Sequence, residues 1–108
     1  MQLKLFFNLL LFFFAQIIFG QESTASKQVS TFTLDSPQLQ STKKIWLYLP
    51  KNYTTSTKKY PVIYMHDAQN LFDAKTSFMG EWNIDEKLDS LNAQVIVVGI
   101  ETTDKRME

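Results

Sequence analysis

The residues best suited to chemistry lie in one polar stretch, residues 66–70 with the sequence HDAQN, followed by Asp73. This stretch directly follows an apolar run, residues 61–65. A histidine side chain can exchange a proton near neutral pH, and aspartate carboxylates can bind a cation or cap exposed backbone N–H groups. The loop that begins at His66 and continues to Gly80 is therefore the candidate site.

His66 is the only histidine in the chain. At the end of a buried strand, a single histidine is more often a hydrogen-bonded structural residue than a catalyst, and we adopt the structural interpretation. The pair His66-Asp67 also occurs in metal phosphohydrolases. Those enzymes need further histidine and aspartate ligands on helices, and this chain has no second histidine, so we set that interpretation aside.

The other loop residues also have structural explanations. Asp67 and Asp73 could hold a cation, but aspartates in loops commonly cap turns and exposed backbone N–H groups, and we expect that role here. Three large aromatic residues are spaced along the loop: Phe72, Phe78 and Trp82. We expect them to hold the loop against a sheet, because a fully solvated loop would rarely carry three of them.

Two apolar runs flank the loop and predict its supporting strands. Residues 62–65 and 95–98 are apolar without alternation, which is typical of strands covered on both faces. Between them, Asn83 and Glu86 have the spacing of a helix capping box, and the helix should end near Asn92. A strand, a polar loop, a helix and a second strand form a βαβ unit, in which ligands bind beyond the carboxyl ends of the strands.

The predicted helix has one apolar stripe, formed by Ile84, Leu88 and Leu91 at positions i, i+4 and i+7. Its acidic residues are expected on the exposed side: Asp85, Glu86 and Asp89.

Two further strands precede the βαβ unit. Residues 29–35 alternate apolar and polar side chains with one interruption, and residues 43–49 form a second run that ends at Pro50. In the second run, Trp46 and Tyr48 share one face. Because only a short polar link joins the two runs, we expect an antiparallel pair.

The N-terminus is typical of an export signal. Lys4 precedes a nearly uninterrupted apolar stretch, residues 5–19, which is long enough for a signal peptide and short for a membrane span. We predict a signal peptide over residues 1–20, with cleavage after Gly20 and Ala25 as a second candidate, and then a flexible lead-in over residues 21–28. The mature protein would be secreted or periplasmic, with no membrane contact after signal removal.

Composition excludes several classes of partner. The chain carries 11 basic and 11 acidic residues and no cysteine. A nucleic-acid partner would need a basic face, and a disulfide framework or thiol nucleophile would need cysteine. We predict no nucleic-acid partner, no metal and no organic cofactor, and the sequence leaves the oligomeric state open.

Residues 44–50, 52–53 and 59–73 resemble the esterase family that includes enterochelin esterase, esterase D (S-formylglutathione hydrolase), feruloyl esterases and mycolyltransferases. The match runs from about Phe32 to Glu108 and is most specific over residues 60–82. The resemblance implies an α/β fold of the α/β-hydrolase type, in which two antiparallel strands precede a parallel sheet. Residues 29–108 would then be the N-terminal part of that esterase domain, and incomplete.

The resemblance also implies a role for Gln69. In the family, the loop after the third strand reads Asp-Gly and then the residue whose backbone N–H forms half of the oxyanion hole. Here the match is Asp67-Ala68-Gln69, so the N–H of Gln69 would be the donor, with no role for its side chain. Ala68 replaces the usual glycine and would be strained if that position required a positive φ.

The nucleophile of such an enzyme would sit in a G-x-S-x-G elbow, and no such pentapeptide occurs here. We therefore expect the Ser-Asp-His triad of an exported carboxylic-ester hydrolase to lie beyond residue 108, and the 108-residue chain alone to be inactive. The substrate would be a small-molecule or saccharide-linked ester. The alternatives are an acyltransferase of the same fold and a non-catalytic exported binding module.

Overall fold

The computed structural model describes residues 2–4 and 20–102. The predicted signal peptide, residues 1–20, therefore lies mostly outside the described residues. Within the described part, we find no helix with the length and apolar character needed to cross a membrane.

Four strands form one mixed sheet: β1 (Val29–Ser36), β2 (Ser41–Tyr48), β3 (Val62–His66) and β4 (Ile96–Ile100). Their order across the sheet is β1-β2-β4-β3. The pairs β1–β2 and β2–β4 are antiparallel, and β3–β4 is parallel. The loop after β3 and the helix α1 (Ile84–Ser90) connect the two parallel strands.

The register of β2 and β4 defines the face on which the core forms. Trp46 lies opposite Gly99, and Tyr48 lies opposite Val97. Because facing residues of a ladder point to the same side of the sheet, Trp46, Tyr48 and Val97 share one face. All three side chains are buried.

The candidate loop supplies the other half of this core. Ala68, Leu71 and Phe72 are fully buried and pack with the side chains of Trp46, Tyr48 and Val97, and Ile84 and Leu88 of α1 pack against the same cluster. Fully burying one such large apolar side chain contributes about 1.5–3 kcal/mol. The loop is thus held on the sheet by its own side chains.

The strand β3 differs from the expectation that both its faces are covered. Val62 is 43% exposed, Ile63 46% and Tyr64 72%. β3 lies at the edge of the described sheet, next to β4 alone, and the described residues cover neither of its faces fully. The apolar sequence of β3 therefore has more hydrophobic surface than the described residues cover.

The helix begins differently from the prediction. Asn83 has a left-handed conformation (φ 54°) and its side chain caps no N–H group, so the predicted capping box is wrong. The helix has seven residues and ends at Ser90, which leaves Leu91 outside it and 76% exposed. Asp85, expected on the exposed side, is fully buried.

Residues 23–28, which we call the N-terminal strap, cover Asp85. The N–H of Ser26 donates a hydrogen bond of 2.7 Å to Asp85, and the Ser26 hydroxyl donates one of 2.6 Å to Asp89. Gln28 donates from its side chain to the carbonyl oxygen of Leu49, at 2.7 Å. Within the lead-in expected over residues 21–28, Ser23, Thr24 and Ser26 thus bind carboxylates 49 to 63 positions later in the chain.

Candidate functional site

The candidate loop leaves the sheet at the carboxyl ends of the two parallel strands. β3 ends at His66 and β4 ends at Ile100, so the residues after each strand lie side by side. Asp67 adopts a left-handed conformation (φ 56°, ψ 41°), and Ala68–Asn70 then form a single 3₁₀ turn. This is the edge of a parallel sheet at which α/β proteins bind ligands.

The alanine in the loop carries no backbone strain. The residue with positive φ is Asp67 and not Ala68, and aspartate is one of the residues that tolerate the left-handed region. Ala68 is fully buried, and its Cβ is so near Gly99 that a Cβ added at Gly99 would lie 2.8 Å away from it. The methyl group of Ala68 therefore fills the space above the glycine of β4.

The Gln69 N–H lies at the open start of the turn. The first hydrogen bond of the turn runs from the N–H of Asn70 to the carbonyl oxygen of Asp67, at 2.9 Å, and the next runs from Leu71 to Ala68, at 3.2 Å. N–H groups that precede the first bond of a helical turn have no partner inside it. The N–H of Gln69 is one of these groups, and it is suited to binding a negatively charged oxygen.

Hydrogen bonds hold both the carbonyl oxygen and the side chain of Gln69. Its carbonyl oxygen accepts a hydrogen bond of 2.8 Å from the Thr76 hydroxyl, and its side-chain Oε1 accepts one of 3.0 Å from the N–H of Thr102. The Thr102 hydroxyl in turn donates to the Asp67 carboxylate. The resemblance assigned no role to the Gln69 side chain or to Thr102; the only sequence signal was the position of Thr102, just after the second parallel strand.

Asn70 organises the far part of the loop. Its side-chain Oδ1 accepts a hydrogen bond of 2.8 Å from the N–H of Phe78, and its carbonyl oxygen accepts one of 2.7 Å from the N–H of Trp82. These bonds hold the loop closed although Phe78 is 78% exposed and Trp82 48% exposed. Of the three aromatic residues expected to hold the loop to the sheet, Phe72 does so, and its ring centroid lies 6.3 Å from that of Trp46. The expectation is wrong for Phe78.

Asp73 has the capping role expected from the sequence. Its buried carboxylate accepts hydrogen bonds from the Ser23 hydroxyl at 2.6 Å and from the N–H groups of Thr24 and Lys75 at 3.0 Å each. Burial alone would raise the pKa of Asp73, but these hydrogen bonds outweigh burial and lower the pKa below its usual range. Asp73 therefore ties the loop to the N-terminal strap as a carboxylate.

His66 and the acidic residues of α1 do not converge on Gln69. His66 is exposed at the end of β3. Asp85 is buried beneath the strap, and burial raises its pKa against the opposing effect of the Ser26 hydrogen bond. Across residues 2–4 and 20–102, no three His, Cys, Asp or Glu side chains are grouped as a metal site would require.

Comparison with known families decides the identity of this domain. A family model described as "Putative esterase" matches residues 36–108, which is more than half of the chain. The chain belongs to this esterase family. No curated protein gives a significant match.

Two solved structures are similar to this esterase-family chain. One is a crystal structure of an IroE-like serine hydrolase from Shewanella oneidensis, with 24% identity over 71% of this chain and a TM-score of 0.51. The other is a ferulic acid esterase, with 26% identity over 67% of this chain and a TM-score of 0.51. The matched part spans 24% and 30% of those two chains, respectively. The described four-stranded mixed sheet is thus similar to the folds of esterases and serine hydrolases.

Proposed function

We propose that this chain is the N-terminal part of an exported serine carboxylic-ester hydrolase of the α/β-hydrolase fold, and that the Gln69 N–H is one oxyanion donor. The observation that carries the proposal is the 3₁₀ turn Ala68–Asn70, which leaves the Gln69 N–H without a partner inside the turn at the carboxyl ends of β3 and β4. Membership of the esterase family supports the hydrolase class.

In this mechanism, a serine beyond residue 108 attacks the ester carbonyl while a histidine takes its proton. The carbonyl oxygen becomes an oxyanion, and the Gln69 N–H donates to it together with the N–H of the residue after the serine. Collapse breaks the bond to the alcohol oxygen, which takes the proton from the histidine and leaves as the alcohol. The histidine then takes a proton from water, which attacks the acyl-enzyme and releases the acid and the serine. The proposed substrate is a small-molecule or saccharide-linked ester, and the reaction requires no cofactor.

The oxyanion role is tested in the full-length protein by comparing Gln69→Pro with Gln69→Ala. Proline has no N–H, so kcat for a p-nitrophenyl ester should fall by about 10²–10³. Alanine keeps the N–H and should retain far more activity. Circular dichroism tests whether both variants are folded. A folded Gln69→Pro enzyme with wild-type kcat would show that the oxyanion hole is built elsewhere.

We also propose that the protein is exported and that processing occurs after Gly20. The apolar stretch behind Lys4 supports export, and the position of the strap supports this cleavage site over Ala25, because Ser23 and Thr24 hold Asp73. N-terminal sequencing of the protein purified from the periplasm or medium should begin at Gln21. An intact Met1 on soluble cytoplasmic protein would contradict export.

A further inference from the structure

We propose that Gln69 and Thr102 form a latch that positions the oxyanion donor, with the Gln69 side chain as a working part of it. The inference rests on the proposed function, because it concerns how the Ala68–Gln69 peptide is oriented. Gln69 and Thr102 are positioning residues in this account, since the group proposed to contact the substrate is the backbone N–H.

The latch consists of two hydrogen bonds that join the loop after β3 to Thr102, two residues beyond the end of β4. The N–H of Thr102 donates to Gln69 Oε1 at 3.0 Å, and the hydroxyl of the same threonine donates to the Asp67 carboxylate. Thr102 thus binds both Gln69 and Asp67, which lie 33 and 35 positions earlier in the chain.

These two bonds act on either side of the peptide that carries the donor. Asp67 precedes that peptide and is in the left-handed region, a conformation that persists where surrounding contacts hold it in place. Gln69 follows the peptide, and the Thr76 hydroxyl also holds its carbonyl oxygen at 2.8 Å. The Ala68 side chain is fixed in the core. The direction of the Gln69 N–H is therefore set by its neighbours on both sides.

Loss of such a latch should lower kcat more than it weakens substrate binding. An oxyanion donor contributes where charge develops in the transition state, and its contribution depends on preorganised geometry. Loosening the peptide leaves the donor present but poorly aimed, so the loss should be smaller than that for deleting the N–H. We expect kcat to fall about tenfold when either bond is removed, with KM changed less than about twofold.

Three variants of the full-length protein test the latch. Thr102→Val removes the hydroxyl and keeps the shape, and Gln69→Met removes the side-chain acceptor at a similar length. Thr102→Ser keeps the hydroxyl and should restore most of the rate lost in Thr102→Val. Thr42→Val is the matched control, because it removes a similar threonine–aspartate hydrogen bond, from Thr42 to Asp35 at 3.0 Å on the β1–β2 hairpin, that involves neither the candidate loop nor Thr102.

Two measurements are made on each variant: kcat and KM for a p-nitrophenyl ester, and amide hydrogen exchange of the peptide that covers residues 67–71. The latch predicts a lower kcat and about tenfold faster exchange in Thr102→Val and Gln69→Met, and neither change in Thr42→Val. Wild-type kcat and exchange in both latch variants would overturn the inference. If the wild-type protein hydrolyses no ester, the proposed function fails, and the exchange data still decide whether the latch holds the loop.

Discussion

Ala68 and Gly99 are in such close contact that β4 has no room for a side chain beside the candidate loop. A Cβ placed on Gly99 would lie 2.8 Å from the Cβ of Ala68 and 3.4 Å from Leu71 Cδ1. The loop that carries the Gln69 N–H therefore packs directly against the sheet. Its distance from β4 depends on Ala68 and Gly99.

Gly99→Ala should destabilise the protein by about 1–3 kcal/mol, because the added methyl group overpacks this contact. Chemical denaturation of the full-length protein measures the effect. In the double variant Gly99→Ala/Ala68→Gly the clash is absent, so the two substitutions should be less costly together than the sum of their separate effects. Strict additivity would show that the two side chains do not compete for the same space.

Asp85→Asn should stabilise the protein at pH 7. Burial raises the pKa of Asp85 in the folded state, so the folded protein holds this proton more tightly than the unfolded chain does. The free energy of unfolding should therefore fall as pH rises from about 3.9, the usual aspartate pKa, through the higher folded value. Asparagine keeps an acceptor for the Ser26 N–H and does not titrate, so the variant should lose this pH dependence.

Asp89→Asn is the matched control for that experiment. Asp89 accepts hydrogen bonds from the hydroxyls of Ser26 and Tyr48, at 2.6 and 2.7 Å, one on each carboxylate oxygen. Asparagine has a single acceptor oxygen, so it can accept only one of the two. This variant should be less stable than the wild type at pH 7. Denaturation curves from pH 4 to 8 test both variants, and an Asp85→Asn protein with an unchanged pH profile would contradict the assignment.

The strand β3 should make the isolated fragment of residues 21–108 self-associate. Its side chains are largely exposed, and it lies at the edge of the described sheet. The unpaired backbone groups of an edge strand are a ready template for pairing with another chain. Tyr64→Lys places a charge on this strand and should reduce the apparent mass in size-exclusion chromatography. Thr33→Lys, on the opposite edge strand β1, should leave association unchanged. A wild-type fragment that is monomeric and melts cooperatively would contradict this prediction.

The N-terminal strap should contribute measurably to stability through Ser23 and Thr24. A protein that begins at Ser26 loses their hydrogen bonds to Asp73 and the hydrogen bond from Thr24 to Glu81. Leaving a buried carboxylate short of donors costs about 1–3 kcal/mol for each lost partner, so the free energy of unfolding should fall relative to a protein that begins at Gln21. A protein that begins at Ser23 keeps all three bonds and should match the longer one.

The sequence predicted the strands and the turn whose signals lie in neighbouring residues. The alternation in β1, the apolar runs of β3 and β4 and the polar turn after His66 were all visible because strand period and turn composition are properties of neighbouring residues. The sequence did not predict that Asp85 is buried, because the strap that covers it lies about 60 positions earlier in the chain.

The same limit applies to the candidate site. The resemblance pointed to the Gln69 N–H, but the contacts that hold it depend on the strand order. Thr102 reaches Asp67 and Gln69 only because β4 pairs in parallel with β3. Gly99 likewise lies next to Ala68 only through this pairing, and nothing in the spacing of the two residues indicated the contact.

The most direct test of the central proposal is to locate the nucleophile chemically. The full-length, natively folded protein is treated with a fluorophosphonate probe, which forms a covalent bond with an activated serine, and the labelled peptide is identified by mass spectrometry. We predict a single labelled serine beyond residue 108, within a G-x-S-x-G sequence, and loss of ester hydrolysis in proportion to labelling. Absence of labelling, or labelling of a serine within residues 21–108, would contradict the account.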